Sequence, residues 1–328
     1  MSDRHVQFGL TLPNRGVITG ATTVAEMLEM AEEADEAQWD SIWVGDSLFA
    51  KPRLDALVLL SALAARTKRV KLGPACFAST PLRNALLLAY QWASLDFLSN
   101  GRTIFVSCQG AKQSGGGKFT EEFEAFQINP ASRMHRQEEA IEILRLTSTQ
   151  EHVSYQGEYN QFHNITVLPR PVQQPIPIWV TANPNPHKPK LAETALRRVA
   201  KYGDGWMTTG NTPEALAETL ATLRRYAREE GRELGPDFEI ALYYNVHVNE
   251  DYEAAYNESK RFLDAYYTTN FDRAYLENWV ALGSPQQCID KLKAYIEAGA
   301  TTITLRLTSY TQKHQFDRVT NEVLAAFR

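Results

Sequence analysis

A chain of 328 residues with 44% hydrophobic and 22% charged residues has the balance of a folded globular protein, long enough for two domains or for one large barrel with insertions. A formal charge of -5 and a pI near 5.9 provide no general surplus of cations for a polyanion or an anionic lipid surface, so neither nucleic acid nor a membrane is an expected partner. The start lacks the apolar core of a signal peptide and no run approaches the ~18 apolar residues of a membrane helix, which predicts a cytoplasmic chain. Cys76, Cys108 and Cys288 are odd in number and widely spaced in the sequence, which predicts reduced thiols rather than a disulfide framework or a CxxC pair.

In chain order, short β-rich apolar runs alternate with longer helical patterns. Strands are predicted over 6–12, 41–45, 70–75 and 103–108, then over 176–181, 205–208, 238–248 and 301–307. Between them Leu82, Leu86, Ala89, Ala93 and Phe97 form one apolar helical stripe, and Leu216, Leu220, Leu223 and Ala227 another. Helix starts are marked by the capping-box patterns Thr23 to Glu26 and Ser284 to Gln287, and by Thr212-Pro213. Strand, helix, strand at intervals of about 30 residues implies parallel strands, and eight such units imply closure. The predicted class is therefore α/β, a (β/α)8 TIM barrel spanning 1–328 as one domain. An open doubly wound sheet is the rival, but Leu12-Pro13-Asn14-Arg15-Gly16 after the first strand is no dinucleotide fingerprint.

Three insertions interrupt the rhythm. After strand four, Gln109 to Arg133 contains Gly115-Gly116-Gly117, a candidate lid or an ordinary surface loop. Before strand five, His152 to Pro175 reads as a hairpin, and after strand seven lies a milder insertion from about Asn270 to Gly283. Gly110 to Phe119 only faintly resembles a P-loop, because Phe119 stands where a hydroxyl must meet magnesium.

In such a barrel the active site lies where strands end. Those ends carry Asn14, Asp46, Ser47, Ala75, Cys76, Cys108, Gln109, Ala182, Asn183, His247 and Arg306. The set is poor in charge and has no His-x-His, carboxylate cluster or nucleophile elbow, which disfavours metal-assisted hydrolysis and acyl transfer. It suits an organic cofactor that brings its own reactivity. His247 could act as acid or base, against its more ordinary reading as a surface histidine. Tyr243-Tyr244 and Tyr266-Tyr267 could wall a hydrophobic substrate or simply pack in the core.

Four ordered segments, Trp39 to Asp46, Val70 to Ala75, Leu95 to Arg102 and Leu168 to Trp179, with Tyr202-Gly203-Asp204-Gly205-Trp206 and Leu282-Gly283-Ser284-Pro285, make the chain resemble the bacterial luciferase-like flavin monooxygenase family over nearly its whole length. The resemblance implies a TIM-like barrel, often paired into homodimers. It implies reduced FMN, delivered by a separate flavin reductase, acting with O2 on a small organic substrate. In a sister branch the deazaflavin coenzyme transfers hydride instead.

Carried over by residue, the resemblance puts Ala75-Cys76 under the flavin ring, often with a non-proline cis peptide, and Cys108-Gln109 beside it. Arg136, with Arg133 as the alternative, and Ala182 with Asn183 are implied as phosphate binders, since an arginine fork meets two phosphate oxygens at once. Where many members carry a histidine, this chain has Asp46-Ser47, which leaves Asp46, Ser47 and Cys108 as the catalytic candidates. The main reading is a two-component monooxygenase; the alternatives are deazaflavin-dependent hydride transfer and flavin binding without catalysis.

Overall fold

The computed structural model describes residues 5–37, 39–111, 116–210 and 212–328. The first half runs β1 (Gln7–Leu12), α1 (Gly16–Thr19), α2 (Val24–Glu36), β2 (Ser41–Val44), α3 (Ala56–Arg66), β3 (Lys71–Pro74), α4 (Ala85–Leu98) and β4 (Phe105–Ser107). Then come α5 (Phe119–Ala125), α6 (Arg133–Thr149), the hairpin β5 (Val153–Gln156) and β6 (Gln161–Ile165), β7 (Ile178–Thr181), α7 (Pro189–Tyr202), β8 (Gly205–Thr209) and α8 (Pro213–Glu229). The chain closes with β9 (Glu239–Val248), α9 (Tyr252–Tyr267), α10 (Arg273–Trp279), β10 (Val280–Gly283), α11 (Pro285–Glu297), β11 (Thr302–Leu307) and α12 (Gln312–Arg318).

Eight parallel strands follow one another in the order β3, β2, β1, β11, β9, β8, β7, β4. Register is continuous through the middle, for instance Thr11 opposite both Trp43 and Arg306, and Arg306 opposite Asn245. The ring is completed between β3 and β4 by isolated bridges, Leu72 with Thr103 and Phe77 with Ser107, rather than by a ladder. The predicted barrel and its three insertions are thus present: the long segment after β4, the β5–β6 hairpin, and α10 with β10, whose strand adds in parallel to the far end of β9.

Inside the barrel, Trp43 and Trp179 face each other with ring centroids 5.3 Å apart. Glycines give them room: a Cβ on Gly9 would lie 2.2 Å from Trp43 Nε1, and one on Gly205 would lie 2.6 Å from Trp179 Cδ1. Outside, α8 buries Leu216, Leu220, Leu223 and Ala227 as predicted. Helix α4 departs from its predicted stripe. It starts at Ala85, buries Leu88, Ala89, Trp92 and Leu95, and turns Phe97 out to 59% exposure. Asn84 caps it by accepting the Leu87 N–H, which sets the phase of the helix differently from the one assumed by starting at Leu82.

Much of the sequence that carried the resemblance is scaffold. Asp96 accepts from the Thr103 hydroxyl and from both the backbone and side-chain amide of Gln173, pinning the approach to β7 against α4. Arg102 donates to the carbonyls of Ala64, Thr67, Val70 and Ser99, and so ties α3 to the turn after α4. Asp204 accepts the Ile178 N–H at 2.9 Å and pairs with Arg145, which joins β7, the start of β8 and α6.

Candidate active site

A cleft of about 380 Å³ opens at the C-terminal ends of β4 and β7. Cys108, Gln109 and Gly110 enter it from β4, Thr181, Ala182 and Asn183 from β7, Arg133 and Met134 from the start of α6, and Lys188 and Arg198 from the α7 side. A volume of this size, lined by apolar and cationic side chains together, suits a small organic ligand that carries an anionic group. Among the described residues, no group of three or more His, Cys, Asp or Glu is arranged to hold a metal ion.

Cys76 and Cys108 are brought together here, although 32 positions separate them, because the end of β3 and the end of β4 are adjacent where Phe77 bridges Ser107. All three cysteines are free, in keeping with the expected reduced thiols. The Cys76 thiol donates toward Cys108 Sγ. Burial opposes ionisation, but the Thr181 hydroxyl and the Gly110 N–H add their support, and the Cys108 thiol falls to about 7. Cys76 moves the other way, raised by that same bond and by burial. The peptide between Ala75 and Cys76 is cis, as the resemblance implied.

Asp46 follows β2. Its Oδ2 accepts the Ser79 N–H at 2.7 Å, Arg83 Nη2 lies 3.9 Å from Oδ1, and Oδ1 has no hydrogen-bond partner among the described residues. Burial pushes this carboxyl up, against the pull of Arg83 and the Ser79 amide, and both thiols sense its charge. Ser47 is a turn former: its hydroxyl donates to the Lys51 carbonyl at 2.8 Å and accepts the Lys51 N–H. Asn14 clasps the tips of β1 and β2, donating to Gly45 O and accepting Gly45 N–H.

Of the two candidate phosphate arginines, Arg133 lines the cleft and Arg136 does not. The Arg136 side chain lies over the Tyr159 ring at 4.3 Å with its Nε on Ser132 Oγ, while Glu139 accepts from Glu158 N, Tyr159 N and Asn160 Nδ2. Residues three apart diverge by about 60° around a helix, enough to exchange cleft for hairpin. The Ala182 N–H is also committed, to Met207 O at 3.2 Å. Asn183 is better placed: its Oδ1 accepts from Thr208 Oγ1 and Thr209 N, which turns its amide nitrogen outward as a donor. Arg198, 4% exposed and bound through Nε to Glu138, was not legible, because only the register of α7 against α6 turns it toward the cleft.

His247 is neither exposed nor at the cleft. It is 1% exposed, its Nδ1 lies 3.0 Å from Thr308 O, and burial lowers its pKa, so the imidazole packs as a neutral ring between β9 and the end of β11. The reading of the mouth as poor in charge also fails. Arg306 stands at its centre, 1% exposed, inside Tyr243, Tyr266 and Tyr267, with its Cζ 4.0 Å from the Tyr266 centroid and Nη1 2.6 Å from Tyr267 Oη. Those tyrosines thus form a cation box, while Tyr244 packs outward on Tyr295. Over this box lies the segment after β4. Gly116 (φ 72°) approaches Tyr267 O so closely that a Cβ would sit 2.5 Å away, and Gly117 crosses the Lys51 loop; Gly115 lies outside the described residues.

A model of the luciferase-like monooxygenase family matches residues 6–302. An F420-dependent glucose-6-phosphate dehydrogenase of Amycolatopsis mediterranei is 25% identical over 92% of this chain and 94% of its own length. Among solved structures, a monooxygenase from Streptomyces bottropensis superposes with a TM-score of 0.80 at 23% identity, covering 98% of this chain and 100% of its own. An F420-dependent secondary alcohol dehydrogenase superposes with a TM-score of 0.79 at 18% identity, covering 99% of both chains.

Proposed function

The chain belongs to the luciferase-like monooxygenase family, and from that premise we propose that it is an oxidoreductase that binds the deazaflavin coenzyme F420 in the β4–β7 cleft and exchanges hydride with a small organic substrate. The full-length similarity to F420-dependent dehydrogenases supports the choice of coenzyme. The observation that carries the site is the cleft itself, lined by the Cys108 thiol and by the cations Arg133, Lys188 and Arg198. These residues fit the group: the guanidinium of Arg133, the Lys188 ammonium and the outward amide of Asn183 supply donors for a phosphodiester and acidic tail, while Ala182 and Met134 give apolar walls.

When bound, the coenzyme supplies a two-electron carrier; the protein supplies position and electrostatics. Cys108, whose thiol is lowered first by the Cys76 bond, brings thiolate character to the strand ends. Asp46 Oδ1 is the atom at which a proton is held or released, since burial favours its neutral form and leaves it without a competing partner. The Gly116–Gly117 segment covers the mouth and keeps water from it.

A second reading, reduced FMN from a separate reductase acting with O2, is favoured by the Cys76–Cys108 pair beneath the ring position, where luciferases also place a cysteine. Anaerobic titration of the purified protein with F420 and with reduced FMN, followed by fluorescence, tests both. F420 should bind, and Arg133→Ala should weaken it by about tenfold to a hundredfold. Binding of reduced FMN without binding of F420 would overturn the deazaflavin reading in favour of the second.

The apolar surface of α3 and α4, with Val58 72%, Leu87 53%, Tyr90 49% and Leu98 57% exposed, belongs in this proposal as the face on which two copies pair.

A further inference from the structure

Opposite the coenzyme cleft, the tips of β1, β2 and β11 gather four cations. Arg15 follows β1 and is 7% exposed, with Nε and Nη1 buried and without a hydrogen-bond partner among the described residues. Lys51, 5% exposed, lies on the loop after β2 with its Nζ 4.8 Å from the Tyr267 ring centroid. Arg53, half-buried on the same loop, reaches Tyr266 Oη with Nη1 at 3.2 Å. Arg306 ends β11 at the centre of the box, and its Nε too is buried without a partner.

Among the described residues, carboxylates do not balance the three arginines. Among the described residues, none of Arg15, Arg53 and Arg306 forms an ion pair with an acid. Glu122, which packs on the Lys51 loop, spends Oε2 on the N–H groups of Phe49 and Ala50. Asp46 feels Arg53 only after Arg83 and Ser79, and Asp55 is taken by Arg83 at 2.6 Å. The tyrosines Tyr243, Tyr266 and Tyr267 offer ring faces and hydroxyls, which soften the charge without cancelling it.

The effect of this crowding is visible on its members. Lys51 falls to about 7, first through burial and then through Arg53, Arg15 and Arg306. Burial would raise the Tyr266 phenol, yet Arg306, Arg53 and Arg15 together bring it down. Burying like charges together is costly unless an opposite charge joins them, and buried guanidinium N–H groups without acceptors are the matching donors.

We propose that Arg15, Lys51, Arg53 and Arg306 are the receptor for an anionic head group of the substrate, a carboxylate or a phosphate monoester, seated across the mouth from the coenzyme. The proposal names the substrate class for the oxidoreductase reading above and rests on it. An arginine fork meets two oxygens of either group, so the anion orients the carbon to be oxidised or reduced toward the ring position. Neutral alcohols and ketones would lack this anchor.

The test uses the purified protein without coenzyme, so that it reports on the cations whether or not F420 binds. Inorganic phosphate and acetate are titrated separately by calorimetry at pH 7.5, each against wild type, Arg15→Gln, Arg53→Gln and Arg133→Gln. At least one probe should saturate, with affinity reduced about tenfold by Arg15→Gln and by Arg53→Gln and changed less than about twofold by Arg133→Gln in the other cleft; the probe that binds identifies the head group. Half-buried Arg53 serves if the Arg15 variant does not fold. Occupancy should also raise the titration midpoint of the Tyr266 phenol, read at 295 nm against Tyr266→Phe. Saturation lost only in Arg133→Gln, or no saturation by either probe, overturns the proposal.

Discussion

Cys108 offers the sharpest check at the level of one atom. With its thiol at about 7, alkylation by iodoacetamide should rise through a midpoint near neutrality, about half the thiol being thiolate there. Replacing the donor, Cys76→Ala, should move that midpoint up toward the ordinary thiol range, measured by peptide mass spectrometry across pH 5 to 10. A midpoint unmoved by the substitution would show that Cys76 does not support the thiolate. The sequence named both cysteines but not their pairing, because a contact between two strand ends depends on the shear of the barrel and leaves no local pattern. The same limit explains the exchange of Arg136 for Arg133, where the helix type was legible and its rotation was not. Arg306 was legible as a strand end, yet its role waited on α9, which brings Tyr266 and Tyr267 over it from 40 and 39 positions away.

Elements were read well where periodicity and caps agreed. Both predicted capping boxes form, with Thr23 exchanging bonds with Glu26 and Ser284 with Gln287, and Thr212 accepts the Ala215 N–H. Thr23→Ala should therefore cost about 1 kcal/mol in urea unfolding without altering coenzyme affinity. Inside the barrel the cost has another origin. A Cβ at Gly9 meets Trp43 Nε1 and Ser41 Oγ, so Gly9→Ala should destabilise by about 1–3 kcal/mol through overpacking, a loss that Trp43→Phe in the same chain should partly restore. Helix α4 was misread because its solvent face is itself apolar, and periodicity alone cannot tell a core stripe from a second apolar stripe. The hairpin and the long segment after β4 were placed by their breaks in rhythm, whereas the contacts that Gly116 and Gly117 make across the mouth depend on distant elements.

For the molecule as a whole, the exposed face of α3 and α4 should hold two copies together. Native mass measurement should give about 74 kDa, twice the 37.0 kDa chain, and Tyr90→Glu should return it to one copy. Stability should carry the mark of Lys51. Its folded pKa of about 7 lies below the ordinary lysine value of 10.5, so between these values the unfolded chain binds more protons and stability rises with pH. Below pH 7 both states hold the proton and the penalty of the buried cation is complete. Urea midpoints at pH 6.5 and 9 should differ in this sense, by on the order of 1–2 kcal/mol, and Lys51→Met should flatten the difference. The join between β3 and β4 sets one more property of the molecule. Among the described residues, the Leu72, Phe77 and Ile104 amides, bonded to Arg102 O, Val106 O and Leu72 O, stitch it, in contrast to the five- and six-residue registers on the two sides of β11. Deuterium should enter the ring there first, at the amides directly beneath the thiol pair. This seam is thus the hem of the barrel, the place where the ring should open first while the β11–β9 side stays fast.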